Sequence, residues 1–150
     1  MGKSPLCMLI YFIEKEPISQ NIMPKLFATL NYEEKKSKFL AFAYVLDGEK
    51  DNIEVLSSLK KEHEEARHLL HVCRYKNKFD ALVLEASDDR EPISSMKKAS
   101  RFFERDKISD FGIYIVRYYG GKELGASHLD HVYFTMAMKL FEQYKQKTPR

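Results

Sequence analysis

Asp88, Asp89 and Glu91 stand almost side by side, and three carboxylates on one loop could bind a hard cation or divide acid and base work between them. They also lie just ahead of Pro92, where a helix is expected to begin. Carboxylates at a helix start accept from its orphan amides and complement its dipole, worth about 0.5 to 2 kcal/mol. No nucleophile and base are spaced to accompany them, so capping is the favoured use. Four histidines come in pairs three residues apart. On a strand, the spacing of His68 and His71 sends their side chains to opposite faces, so they do not form a joint metal site. His128 and His131 could share a helix face, but neither a cysteine nor an HExxH pattern accompanies them. Cys73 falls inside a strand pattern and is read as a small buried hydrophobe.

A second candidate is the loop Arg117-Tyr118-Tyr119-Gly120-Gly121-Lys122-Glu123-Leu124-Gly125, which holds three of the six glycines. Paired glycines permit positive φ and close approach of backbone or ligand. A helix starting just beyond the loop would add the positive end of its dipole. The loop is therefore either an anion or partner site or a tight strand-to-helix turn, and composition favours the turn.

The elements that must position these residues are read from hydrophobic periodicity. Phe27 to Tyr32 and Lys38 to Leu46 read as strands that pair as a hairpin, with a turn signal at Asp47-Gly48. Asp51 is a plausible N-cap for a helix from about Asn52 to Glu65. His68 to Tyr75 and Ala81 to Ala86 suggest a second hairpin, and Pro92 opens a helix that ends near Asp106. Phe111 to Val116 is β-branched and aromatic apart from Gly112, as in a largely buried strand. The last helix, from Leu129 to about Lys145, carries Leu129, Val132, Tyr133, Met136, Leu140 and Tyr144 on one face. This order predicts an α+β domain, a two-layer mixed sheet with helices packed on one face.

The length of 150 residues suits one domain, expected over residues 27–150 after an N-terminal arm and linker over 1–26. Leu6 to Ile13 is too short to span a bilayer and is read as a strand or docked arm, with a signal peptide as the alternative. Two cysteines make no disulfide framework, which points to a reducing, cytoplasmic setting. The net charge of +3 is compatible with phosphate binding without demanding it. Lysine and arginine clusters at 35–38, 74–78 and 97–105 are interleaved with aromatic residues, as single-strand binders are, but acids lie among them.

Together, Lys36-Ser37-Lys38-Phe39, Ala66-Arg67-His68, Asp88-Asp89-Arg90-Glu91-Pro92 and Arg117-Tyr118-Tyr119-Gly120-Gly121 resemble, in order and spacing, the IMPACT/YigZ family from about Asn31 to Tyr144. Arg90 stands where that family usually has glycine, which implies an acidic turn without positive φ. The resemblance implies a fold like the second domain of ribosomal small-subunit protein five. Neither the RWD domain of eukaryotic relatives nor the ferredoxin-like domain of bacterial ones is expected here. The implied function is a non-enzymatic, monomeric regulator of translation. Its partner would be the ribosome-associated activator of the amino-acid-starvation kinase. RNA or single-stranded nucleic-acid binding is the alternative, and an enzyme using Asp88, Asp89, Glu91 and His68 is a third reading. The resemblance supplies no catalytic residue, cofactor or metal. Candidate binding residues are His68, Asp88, Asp89, Glu91, Arg117, Tyr118, Tyr119, Gly120, Gly121 and Lys122.

Overall fold

The computed structural model describes residues 24–147, so the N-terminal apolar run at Leu6 to Ile13 lies outside the described residues. The elements, in chain order, are β1 (Lys25–Glu34), β2 (Ser37–Val45), α1 (Glu49–Glu62), β3 (His68–Lys76), β4 (Leu82–Ser87), α2 (Ser95–Arg105), β5 (Phe111–Tyr118) and α3 (Ala126–Lys147). The α+β class is as expected. Among the described residues, no helix is long and apolar enough to cross a membrane.

The five strands form one sheet in the order β1-β2-β5-β3-β4. Every pairing is antiparallel, whereas the sequence suggested a mixed sheet. The helical crossovers explain the difference. The link through α1 does bring β3 back in the direction of β2, and the link through α2 does the same for β5 and β4. In each case an antiparallel strand lies between the two, so the like-directed strands never become neighbours.

The helices also divide between the faces rather than sharing one. Phe111, Ile113 and Ile115 of β5 join Phe39, Ala41, Leu70 and Val72 in the main core under α2 and α3. Tyr114 points the other way, into a smaller core with Val55 and Leu59 of α1 and with Cys73 and Tyr75 of β3. Because both faces of β5 are covered, its apolar run is continuous rather than alternating.

The turns carry the remaining information. Lys35 and Lys36 both have positive φ, 49° and 67°, as a two-residue type I′ hairpin turn requires. α1 begins three residues earlier than expected and its N-cap is Gly48, so Asp51 lies within the first turn, where its carboxylate accepts from the Asp47 amide at 2.7 Å. α2 begins three residues beyond Pro92.

Candidate functional site

Arg117 is the last residue but one of the central strand, and its neighbours on β2 and β3 place the other motifs around it. Phe39 of β2 and His68 of β3 are its register partners on the two sides. Its guanidinium is buried, and Nη1 donates to Glu91 Oε2 at 2.9 Å, with both side chains under 5% exposed. The same carboxylate oxygen accepts from the Tyr133 hydroxyl of α3 at 2.5 Å, and His68 Nε2 is 3.5 Å from Oε1. Burial, and then Glu91, push the Tyr133 phenol far above its ordinary pKa, so it stays a donor. Arg117 Nη2 reaches Ser37 Oγ at 3.5 Å, while its buried Nε makes no hydrogen bond.

The acidic residues divide three ways. Asp88 Oδ1 accepts from the Met96 amide at 2.8 Å, which makes it the cap of α2 in place of Ser94, whose side chain makes no capping bond. Burial raises the pKa of Asp88, only partly offset by the amides of Met96 and Lys97. Asp89 Oδ2 accepts from the Leu69 amide at 2.7 Å, and the Asp89 carbonyl lies 2.9 Å from His68 Nδ1. A carbonyl only accepts, so Nδ1 carries the proton. Glu91 alone turns inward, to Arg117. Each carboxylate is thus already held by donors of the chain itself.

The two glycines of the loop do different work. A Cβ on Gly120 would lie 2.1 Å from the Lys36 carbonyl carbon, so a side chain there is blocked by the backbone of the β1–β2 turn. The Gly120 amide also donates to Ser37 Oγ at 3.2 Å. Gly121 has φ of 96° with open space around it, so it serves the turn itself. Arg90 shows that the acidic turn keeps its shape without glycine, contrary to the expectation drawn from that residue. Asp89 and Arg90 have φ of 48° and 64°. A side chain in the left-handed region costs roughly 1 to 2 kcal/mol, and glycine's greater chain entropy returns part of that. Arg90→Gly is therefore expected to raise the urea unfolding free energy by about 0.5 to 1 kcal/mol.

Above this frame lies a cleft of about 250 Å³ lined by Arg67, His68, Arg90, Glu91, Arg117 and Tyr119, among others. Arg67 is exposed and its guanidinium lies 4.3 Å from the centre of the Tyr119 ring, and Arg117 lies 5.5 Å from the same ring. The Tyr119 hydroxyl donates to Glu123 at 3.1 Å. Of the candidate residues, His68, Glu91, Arg117 and Tyr119 line the cleft; Asp88, Asp89 and Gly120 belong to its frame. Gly121 and Lys122 are exposed on the loop. Tyr118 is separated from them, its hydroxyl 2.6 Å from His63 Nδ1 on the α1 side. A larger groove of about 1120 Å³ around Asp47–Asp51 and Lys76–Lys78 takes nothing from the motifs.

Tyr133 was readable in the sequence only as part of a helix core stripe, yet a buried phenol needs an acceptor, and that was the available signal. Arg67 was readable as a motif residue, without a sign that it would face the cleft.

Comparison with known proteins matches residues 35–141 to the Impact N-terminal domain. The chain is similar to a protein of Haemophilus influenzae described as an IMPACT family member, 30% identical over 129 residues, covering 83% of this chain and 63% of the relative. It is also similar to a crystal structure of a hypothetical protein, with a TM-score of 0.65 and 27% identity over 81% of this chain and 58% of that one. A structure of the two-domain translational regulator Yih1 aligns with a TM-score of 0.49 and 18% identity, over 93% of this chain and 57% of that one. The chain therefore spans less than two thirds of the length of each of these relatives.

Proposed function

This chain belongs to the IMPACT family, and we propose that it is a non-enzymatic regulator of translation that acts by protein–protein contact in the response to amino-acid starvation. The observation that carries this is the burial of the Glu91–Arg117 pair. The groups most able to do chemistry are spent on one another inside the domain, while the residues left at the surface, Arg67, Arg90 and Lys122, are contact groups. The partner in this proposal is the ribosome-associated activator of the starvation kinase, met by the chain as a monomer in the cytoplasm. Such a role needs no cofactor.

Protein contact is favoured over nucleic acid by what the basic clusters do. Lys98 pairs with Asp130, Arg105 with Asp106 at 2.8 Å, and Lys76 with Asp80 at 3.6 Å, so part of the positive charge of the second and third clusters is answered locally. One observation supports the second reading. The Arg67 guanidinium on Tyr119, with Arg90 lining the same cleft and Lys122 close to Tyr119 along the loop, is a cation and ring combination suited to a single strand. Salt separates the two, because phosphate contacts release counterions and give a steep loss of affinity with ionic strength.

A competition experiment tests the proposal. Purified chain is added to a preformed complex of the kinase and its ribosome-associated activator. Displacement of the kinase at micromolar chain is the expected result; no displacement, with single-stranded RNA bound in a salt-dependent manner, would replace the first reading with the second.

A further inference from the structure

We propose that His71, Cys73 and Glu85 form a site for a divalent transition-metal ion, with zinc the best match. His71 and Cys73 are two residues apart on β3, which puts both side chains on the α1 face of the sheet. Glu85 stands directly opposite Cys73 on β4. His71 Nε2 is 3.1 Å from Glu85 Oε1, Cys73 Sγ is 4.0 Å from the same oxygen, and one ligand atom from each of the three residues falls within 4.8 Å of the others. Bonds of about 2.0 to 2.3 Å in a tetrahedron put ligand atoms about 3.3 to 3.7 Å apart, so closure takes shifts of about 1 Å or less.

The surroundings are those of an oriented site. Glu85 is held by the Tyr75 hydroxyl at 2.8 Å and by Asn52 Nδ2 at 3.1 Å, and Asn52 is in turn held by the Tyr114 hydroxyl at 2.7 Å. The His71 ring stacks on Tyr114 at 5.8 Å with 11° between the planes. Partners of this kind fix the rotamers of metal ligands and sharpen affinity. Cys73 is fully buried, but the Glu85 side chain is 37% exposed, which gives an ion a path in. One nitrogen, one sulfur and one carboxylate suit zinc and its neighbours; calcium and magnesium call for oxygen alone.

Binding is balanced simply. The ion forms bonds to His71 Nε2, a Glu85 oxygen and Cys73 Sγ; the Cys73 S–H bond breaks and its proton leaves to solvent, while the proton that Nε2 donates to Glu85 leaves Nε2 and is taken up at Nδ1 by way of solvent. No oxidant or reductant is involved. His68 points to the opposite face, so this site is separate from the cleft and stands or falls apart from the function proposed above.

Cobalt titration of the purified full chain tests it. The expected result is a thiolate-to-cobalt absorption that saturates at one equivalent, releases a proton, and is bleached by zinc. Cys73→Ser should abolish it, whereas Cys7→Ser should leave it unchanged. Glu85→Gln, which keeps the shape of the side chain, should weaken cobalt binding at least tenfold, and its fold is checked by circular dichroism. Absence of the band in the folded wild-type chain would overturn the site. So would a band that depends on Cys7 and not on Cys73, or unchanged affinity in Glu85→Gln, which would leave a hydrogen-bonded cluster only.

Discussion

Replacing Arg117 by alanine is expected to destabilise the domain by about 3 to 5 kcal/mol, because it leaves the Glu91 carboxylate buried without its counter-charge. For a chain of this size that corresponds to a fall of roughly 10 to 15 °C in Tm. The loss exceeds that of a surface pair, worth about 0 to 1 kcal/mol, because the carboxylate cannot recover water when its partner is removed. Tyr133 and His68 would remain at the carboxylate, but neither replaces the guanidinium. Urea unfolding measures the effect. The double variant E91L/R117M separates a missing partner from a missing shape: with both charges gone, much of the stability should return. A loss below about 1 kcal/mol in R117A would mean that the pair is not the joint of the site.

Gly120→Ala is expected to cost about 2 to 3 kcal/mol, from overpacking against the Lys36 backbone, where the added carbon would lie 2.1 Å from the carbonyl carbon and 2.3 Å from its oxygen. A clash with a flexible side chain could be relieved by a rotamer change, but this one requires the type I′ turn to move. Since Ser37 accepts from both Gly120 and Arg117, moving that turn also loosens the buried pair. Gly121→Ala provides the contrast. Its Cβ would meet nothing within 4 Å, so only the positive φ of 96° opposes it, at about 1 kcal/mol. Thermal unfolding of both variants side by side should rank them in that order; equal losses would show that turn conformation, not the approach of the hairpin, sets the need for glycine at 120.

What was legible in the sequence follows the range of the forces involved. β5 was plain because a β-branched and aromatic run, interrupted only by Gly112, is a local signal, and its burial on both faces agrees with that run. The amphipathic stripe of α3 was equally direct, although the helix begins three residues before Leu129. The capping use expected of Asp88, Asp89 and Glu91 came from short-range electrostatics and is met by Asp88 alone, in its bond to Met96. Glu91 carried no such mark. Its partners Arg117 and Tyr133 are 26 and 42 residues away, and only the order of strands in the sheet brings them together. The same limit explains the mixed sheet, since crossovers seen along the chain do not reveal which strand will be inserted between their ends. It also explains Tyr118 and Tyr119, adjacent in sequence yet turned to different sides where β5 ends, one facing His63 and the other Arg67. Arg90 differs in kind: glycine's absence suggested that positive φ was lost, but the surrounding turn enforces it on arginine.

The motifs therefore divide into a frame, made by the buried Ser37, Glu91 and Arg117 with the Gly120 amide bonded to Ser37, and a surface that the frame presents, including Arg67 and Lys122. The most direct test is the kinase-displacement titration run with wild-type chain and with the variant R67E/K122E, both first shown to unfold at the same temperature. Wild-type chain is predicted to displace the kinase and the variant to be at least tenfold weaker, a difference of about 1.4 kcal/mol in binding with no change in folding. Equal displacement by the two proteins would contradict a partner surface at the cleft.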